Sequence, residues 1–257
     1  KRLLVICVVL ALGACREDSE GSPNAPTRGA IALPAAQAAA PAGPTIPPIT
    51  IYHLEGRRSE RIVWLMEELG LPYKLEFKRG DLAGSAAAIK ELNPAMPVAP
   101  TVDLGGQIIV ESGAIIETIL NRYAPGKLQP PMDSLEYPYY LMWMHYAEGS
   151  LASRAIADYR VWQVAPPKER SRLVDSEQVV QFAEDWLGNH PWFGGPEFSA
   201  ADIMMVFPLN FAMELNIVDK TKFPKIAEWK SRIEARPAYQ RMLAKARPDG
   251  MVGSLSH

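Results

Sequence analysis

The chain has 257 residues, 48% of them hydrophobic, and a formal net charge of −2. That length leaves room for one two-part globular unit behind an Ala/Pro-rich opening stretch, and the near-neutral charge gives no basic footprint for nucleic acid. Both cysteines, Cys7 and Cys15, lie at the start, so the chain after them has no disulfide framework, Cys-x-x-Cys pair or cysteine-ligated zinc. Thiol chemistry in the globular part needs a thiol brought in by a ligand.

Lys1-Arg2 precedes an apolar run, Leu3 to Leu12, that ends Leu12-Gly13-Ala14-Cys15. A basic start, a short apolar stretch and small residues before a cut have the form of a secretory signal, and the run is too short to span a bilayer. Ending on Cys, it resembles a bacterial lipoprotein signal. That resemblance implies a signal segment over 1–15, lipidation at Cys15, and a membrane-anchored protein facing the periplasm or cell exterior. A plain signal peptide and a cytoplasmic protein are the alternatives. Residues 16–48 are rich in proline and alanine and poor in bulky apolar side chains; they read as a disordered tether, because they cannot bury enough surface to offset chain entropy.

From residue 49 the pattern changes. Ile49 to Leu54 is rich in β-branched and aromatic residues and reads as a strand. Ile62, Leu65, Met66 and Leu69 fall at helical spacing, with Gly70 closing the helix and Pro72 beyond it. Tyr73 to Phe77 alternates as a second strand. A short helix is expected over Ala86 to Leu92, stopped at Asn93-Pro94. Thr101 to Leu104 and Ile108 to Val110 flank Gly105-Gly106 as a hairpin, and Ile115, Ile116, Ile119 and Leu120 stripe a last helix. The order βαβ, α, ββα predicts a four-stranded mixed sheet with helices on both faces over 49–125, the thioredoxin-like arrangement.

No strand pattern follows Pro131, so 133–248 is expected to be all-helical. Tyr137, Tyr140, Leu141, Met144 and Ala147 stripe one helix; Val179, Phe182, Ala183, Trp186 and Leu187 stripe another. Ser199 and Asp202 form a capping box ahead of a helix that contains Pro208, with Phe198 and Ile203 placed as a hydrophobic staple. Ile226, Trp229 and Ile233 mark the next helix, and Pro237 opens a final one. Tyr139, Trp143, Tyr146 and Arg154 are better read as bundle residues than as a binding wall. No metal-ligating constellation is visible in the sequence.

Three segments, Tyr52 to Tyr73 (YHLEGRRSERIVWLMEELGLPY), Ala99-Pro100-Thr101 and Glu111-Ser112-Gly113-Ala114-Ile115, resemble the N-terminal domain of glutathione transferases. Phe198 to Pro208 (FSAADIMMVFP) and Arg236-Pro237-Ala238-Tyr239 resemble the C-terminal domain of that family. The resemblance spans about 49–245. It implies the glutathione transferase fold, a thioredoxin-like domain followed by a helical bundle, and a homodimer. It also implies conjugation of glutathione, as co-substrate and without a metal, to a small apolar electrophile. A non-catalytic glutathione-binding scaffold and a glutathione-dependent peroxidase are the alternatives.

The residues suit that ligand. Free amides at a helix start bind a carboxylate, and a glutamate pairs with an ammonium; Ser112, expected as an N-cap, and Glu111 thus fit the two charges of a γ-glutamyl group. Pro100 stands where the family places a cis-proline, which would present the backbone of Ala99 to an extended peptide. The lead-in Met96-Pro97-Val98-Ala99 lacks the lysine common in the family.

The thiol-activating group is open. One alignment puts Tyr52 at the family's tyrosine position and Arg58 at its arginine. Another puts Arg57 where a serine is usual, leaving Ser59 as the nearest hydroxyl or simply as a helix cap. Tyr52 and Ser59 are the catalytic candidates; Arg57, Arg58, Ala99, Pro100, Glu111 and Ser112 are the substrate-binding candidates.

Overall fold

The structure, a computed structural model, describes residues 46–164 and 176–250. The signal-like segment, Cys15 and nearly all of the tether lie outside the described residues. Ile46–Pro48, assigned above to the tether, are part of the fold: Ile46 packs on the core and the Pro48 carbonyl accepts the Gly105 amide at 3.0 Å.

The first module follows the expected order: β1 (Ile49–Tyr52), α1 (Glu60–Leu69), β2 (Lys74–Glu76), α2 (Leu82–Leu92), β3 (Thr101–Leu104), β4 (Ile108–Val110) and α3 (Ser112–Tyr123). The sheet order is β2-β1-β3-β4, with β1 and β2 parallel and the other pairs antiparallel. In β1, Ile49 and Ile51 point into the core while Thr50 and Tyr52 point to the other face, as period-two geometry requires. Gly105 and Gly106 both have positive φ, 64° and 98°, so the β3–β4 turn takes a form that glycine adopts freely. Gly70 ends α1 in the left-handed region, its amide returning to the Met66 carbonyl. The helix α2 starts earlier than expected because Asp81 caps it through the Gly84 amide.

The second part holds α4 (Tyr137–Tyr146), a π-helical turn over Ala147–Ala152, α5 (Ser153–Val164), α6 (Ser176–Asn189), α7 (Ala200–Glu214), α8 (Pro224–Glu234) and α9 (Pro237–Ala246). The capping box is formed at the start of α7: the Ser199 hydroxyl accepts from the backbone of the first turn and the Asp202 carboxylate accepts the Ser199 amide. That helix continues through Pro208. Trp143 is fully buried among Tyr146, Phe182, Trp186 and Phe193 and is bundle core, whereas Tyr139 is exposed. Among the described residues no helix is long and apolar enough to cross a membrane.

The helix that positions the site is α1. Its periodicity predicted one apolar face, but residues Glu60 through Glu67 are all buried, because α3, α7 and α9 all pack on it. Burial on that scale leaves its charged residues in need of partners. Glu60 takes Arg247, Glu67 takes Arg241 and Lys245, and Arg61 takes Glu148.

Candidate functional site

The β1–α1 turn borders two cavities. The first is lined by Arg58, Met96, Val98, Ala99, Pro100, Glu111, Ser112 and Glu148, and has a volume of about 530 Å³ including space open to solvent. Register explains why these residues meet. Thr101 of β3 pairs with Val110 of β4, so the residue before the one strand and the residue after the other, Pro100 and Glu111, end at the same edge.

Each wall of this cavity offers a different chemistry. The Ala99–Pro100 peptide is cis, and among the described residues neither the Ala99 N–H nor its C=O has a hydrogen-bond partner. An extended peptide could pair there as an added strand. Glu111, not Ser112, occupies the N-cap position of α3, and no side chain caps that helix. The amides of its first turn are therefore open to an anion. Glu111 is exposed and has φ 72°, a conformation that costs a non-glycine residue about 1–3 kcal/mol. Ser112 is the first helical residue; its hydroxyl lies 3.4 Å from Arg61 Nη1.

A cluster of ions closes the cavity on the helical side. Glu148, carried by the π-helical turn, accepts Arg58 Nε at 2.8 Å and Arg61 Nη1 at 2.5 Å through one oxygen. Burial pushes the Glu148 carboxyl up, but Arg61 and Arg58 outweigh it and hold it below the usual carboxylate range. Burial pulls the Arg61 guanidinium down against Glu148. Arg61 also donates to the Met204 carbonyl of α7, so one side chain joins α1, α3, the π-turn and α7. Nothing in the local sequence around Glu148 announces this role: its partners are 87 and 90 residues away.

The two hydroxyl candidates are not in this cavity. Ser59 is fully buried, and its hydroxyl is engaged by His53 Nδ1 at 2.8 Å and by the Leu54 amide at 3.0 Å. His53 Nε2 must donate to the Ala246 carbonyl at 2.8 Å, which leaves Nδ1 to accept the Ser59 proton. Burial lowers the His53 pKa, the neutral form this bonding needs. Ser59 sits at the N-cap position of α1 but makes no side-chain cap bond. Tyr52 points to the opposite face of the sheet from Ile51 and lines neither cavity. What the first cavity does offer a thiolate is Arg58, whose guanidinium is positive and whose amide, just ahead of α1, is unpartnered among the described residues.

Arg57 is separated from the other candidates. It lines the second cavity, between the turn, α7 and α9, with Trp64, Phe207, Phe211, Tyr239, Met242 and Arg247 among its walls. That cleft is narrow, with a volume of about 520 Å³ on the same measure. The Phe207 ring is shared: it lines the second cavity and lies 4.7 Å beneath the Arg58 guanidinium of the first.

Residues 51–130 match the family model described as "Glutathione S-transferase, N-terminal domain", and residues 167–237 match "Glutathione S-transferase, C-terminal domain". The chain belongs to the glutathione S-transferase family. Glutathione S-transferase 3 of Schizosaccharomyces pombe is 29% identical over 208 residues, 74% of this chain and 84% of that protein. The solved glutathione S-transferase of Actinobacillus pleuropneumoniae superposes with a TM-score of 0.67 at 27% identity, covering 79% of this chain and 94% of that one. The disulfide-bond oxidoreductase YfcG of Escherichia coli is 26% identical over 215 residues, 77% of this chain and 95% of that protein. For this glutathione S-transferase family member, the sequence-chosen residues Arg58, Ala99, Pro100, Glu111 and Ser112 share one cavity. Arg57, Tyr52 and Ser59 lie elsewhere.

Proposed function

We propose that the protein is a glutathione transferase that binds glutathione in the first cavity and an apolar electrophile in the second. The γ-glutamyl carboxylate sits at the start of α3, its ammonium faces Glu111, and the cysteinyl backbone pairs with Ala99. The sulfur then lies toward Arg58 and the head of α1, where a positive guanidinium and a free amide favour the thiolate. Rate comes from thiolate population and from positioning beside the acceptor. The observation that carries this reading is that Arg58, Ala99 and the pair Glu111-Ser112, drawn from three places in the chain, line one cavity.

Calorimetry with glutathione, followed by turnover of an aryl halide, tests it. Saturable binding with enzyme-dependent conjugation is expected; failure of glutathione to bind would sink the reading. Burial of Ser59 and the outward placement of Tyr52 favour a second reading, a glutathione-binding protein without transfer. Binding with no conjugation would select it.

The family resemblance supports a homodimer, which sedimentation would show as twice the chain mass. The Lys1–Cys15 pattern supports lipidation at Cys15 and an outward-facing membrane location. Incorporation of a labelled fatty acid, lost in Cys15→Ser, is the expected result.

A further inference from the structure

The second cavity has an unusual charge balance. Of the charged side chains that line it, Glu60 pairs with Arg247, Arg61 with Glu148, and Glu214 with Lys230. Arg57 is half-buried, and its side chain forms no ion pair among the described residues and one hydrogen bond there, from Nη1 to the Gly56 carbonyl at 3.3 Å. A guanidinium has five donors in a planar fork that matches a carboxylate. Beside it stands the half-buried Phe207 ring, backed by the buried Trp64, Phe211 and Tyr239, an apolar surface suited to a planar body. A charge left unpaired beside such a surface loses water without gaining a counter-ion, and an anionic ligand would supply one.

We propose that the acceptor substrate is an aromatic electrophile carrying a carboxylate, held by Arg57 while its ring packs against Phe207. The inference rests on the transferase reading and names the substrate class of its second cavity. Since Phe207 also underlies Arg58, an acceptor on that ring is next to the thiol-bearing cavity. In the conjugation of an aryl halide, the thiolate sulfur forms a bond to the ring carbon that bears the halogen. The carbon–halogen bond breaks and halide leaves with its electron pair, while the thiol proton has gone to solvent. The carboxylate takes no part in bond making; it sets the position of the ring.

The test compares 4-chloro-3-nitrobenzoate with its methyl ester, using the full chain and saturating glutathione. Each acceptor is assayed with wild type, Arg57→Gln and Arg57→Lys, and binding of the unreactive pair 4-nitrobenzoate and methyl 4-nitrobenzoate is measured by calorimetry. The expected result is that Arg57→Gln lowers the kcat/KM ratio of acid to ester at least tenfold, mainly through KM of the acid, whatever it does to both substrates in common. Arg57→Lys should recover part of the preference. Equal losses for acid and ester, or an unchanged ratio, overturn the proposal.

If neither acceptor is turned over although glutathione binds, the transferase reading fails by itself and calorimetry decides the inference. Loss of the nitrobenzoate preference in Arg57→Gln then supports it, and an unchanged preference overturns it. If glutathione does not bind, both fall. Melting curves of the two variants guard against a folding defect being read as lost recognition.

Discussion

At the scale of single residues, Glu111 carries the sharpest prediction, because it combines an exposed carboxylate with a left-handed backbone. Replacing it by glycine removes both features. The strain relief should raise stability by roughly 1 kcal/mol, seen as a higher melting temperature. Loss of a charge-assisted contact to the ammonium should weaken glutathione binding by roughly tenfold or more. Opposite signs are the signature of a residue kept for ligand rather than for fold; a variant that binds normally would remove Glu111 from the site.

The two hydroxyls give the complementary test. Tyr52→Phe should leave conjugation within about twofold, since the ring lies on the far side of the sheet from Ile51. Ser59→Ala should cost about 1–3 kcal/mol of stability by leaving His53 Nδ1 and the Leu54 amide without their shared partner. A 100-fold fall in kcat for Tyr52→Phe at unchanged stability would restore it as the activating group. These placements were not legible in the sequence. Neighbours in a tight turn differ by one residue in number but point to different spaces, and adjacent Arg57 and Arg58 line different cavities.

At the scale of elements, the readable features were those whose signal is local. The Gly105-Gly106 turn, the Gly70 stop and the Ser199–Asp202 box each bond within a few residues of themselves. The helix α5 was missed because it has almost no apolar stripe: only Ala155 and Asp158 are among its buried residues. The π-turn before it, which carries Glu148, has no sequence signature either.

Asp202 is the element-scale test. It accepts the Phe193 and Ser199 amides, each at 3.0 Å, and Trp229 Nε1 at 2.8 Å, tying α7 to α8 and to the preceding loop. Asp202→Ala should cost about 3 kcal/mol or more, as three buried donors lose their acceptor. Burial raises its pKa to about 6 against those donors. In the folded state it therefore keeps a proton between pH 4 and 6 that the unfolded chain, near 3.9, has lost. Stability from this group is fully present below that window and is lost as pH rises through it. Denaturant titrations of wild type and Asp202→Asn should show the variant closing part of its deficit from pH 4 to pH 6. A deficit that grows over that interval would mean that the hydrogen bonds, not burial, control the carboxyl.

At the scale of the whole molecule, the sequence divides at Pro131 into two kinds of pattern, yet the described residues form one compact unit. The reason lies in α1, the first helix among the described residues, which is completed by α9, the last of them. Trp64 meets Tyr239 edge-on at 5.0 Å between ring centres, Glu68 holds Arg236 through two bonds, and Glu67 holds Arg241 and Lys245. His53 reaches the Ala246 carbonyl at the end of α9. Burying a tryptophan and its neighbours contributes about 1.5–3 kcal/mol per large side chain, a sizeable part of the 5–15 kcal/mol typical of a whole domain. The sheet module therefore should not fold without its terminal helix, and the two parts should unfold together. Far-ultraviolet dichroism, tryptophan fluorescence and loss of glutathione binding are expected to give one coincident thermal transition. A chain ending at Arg236 should show neither a cooperative transition nor glutathione binding, although every residue of the first cavity is still present. Two separated transitions in the full chain, or a truncated chain that still binds glutathione, would mean that the sheet module is stable without α9.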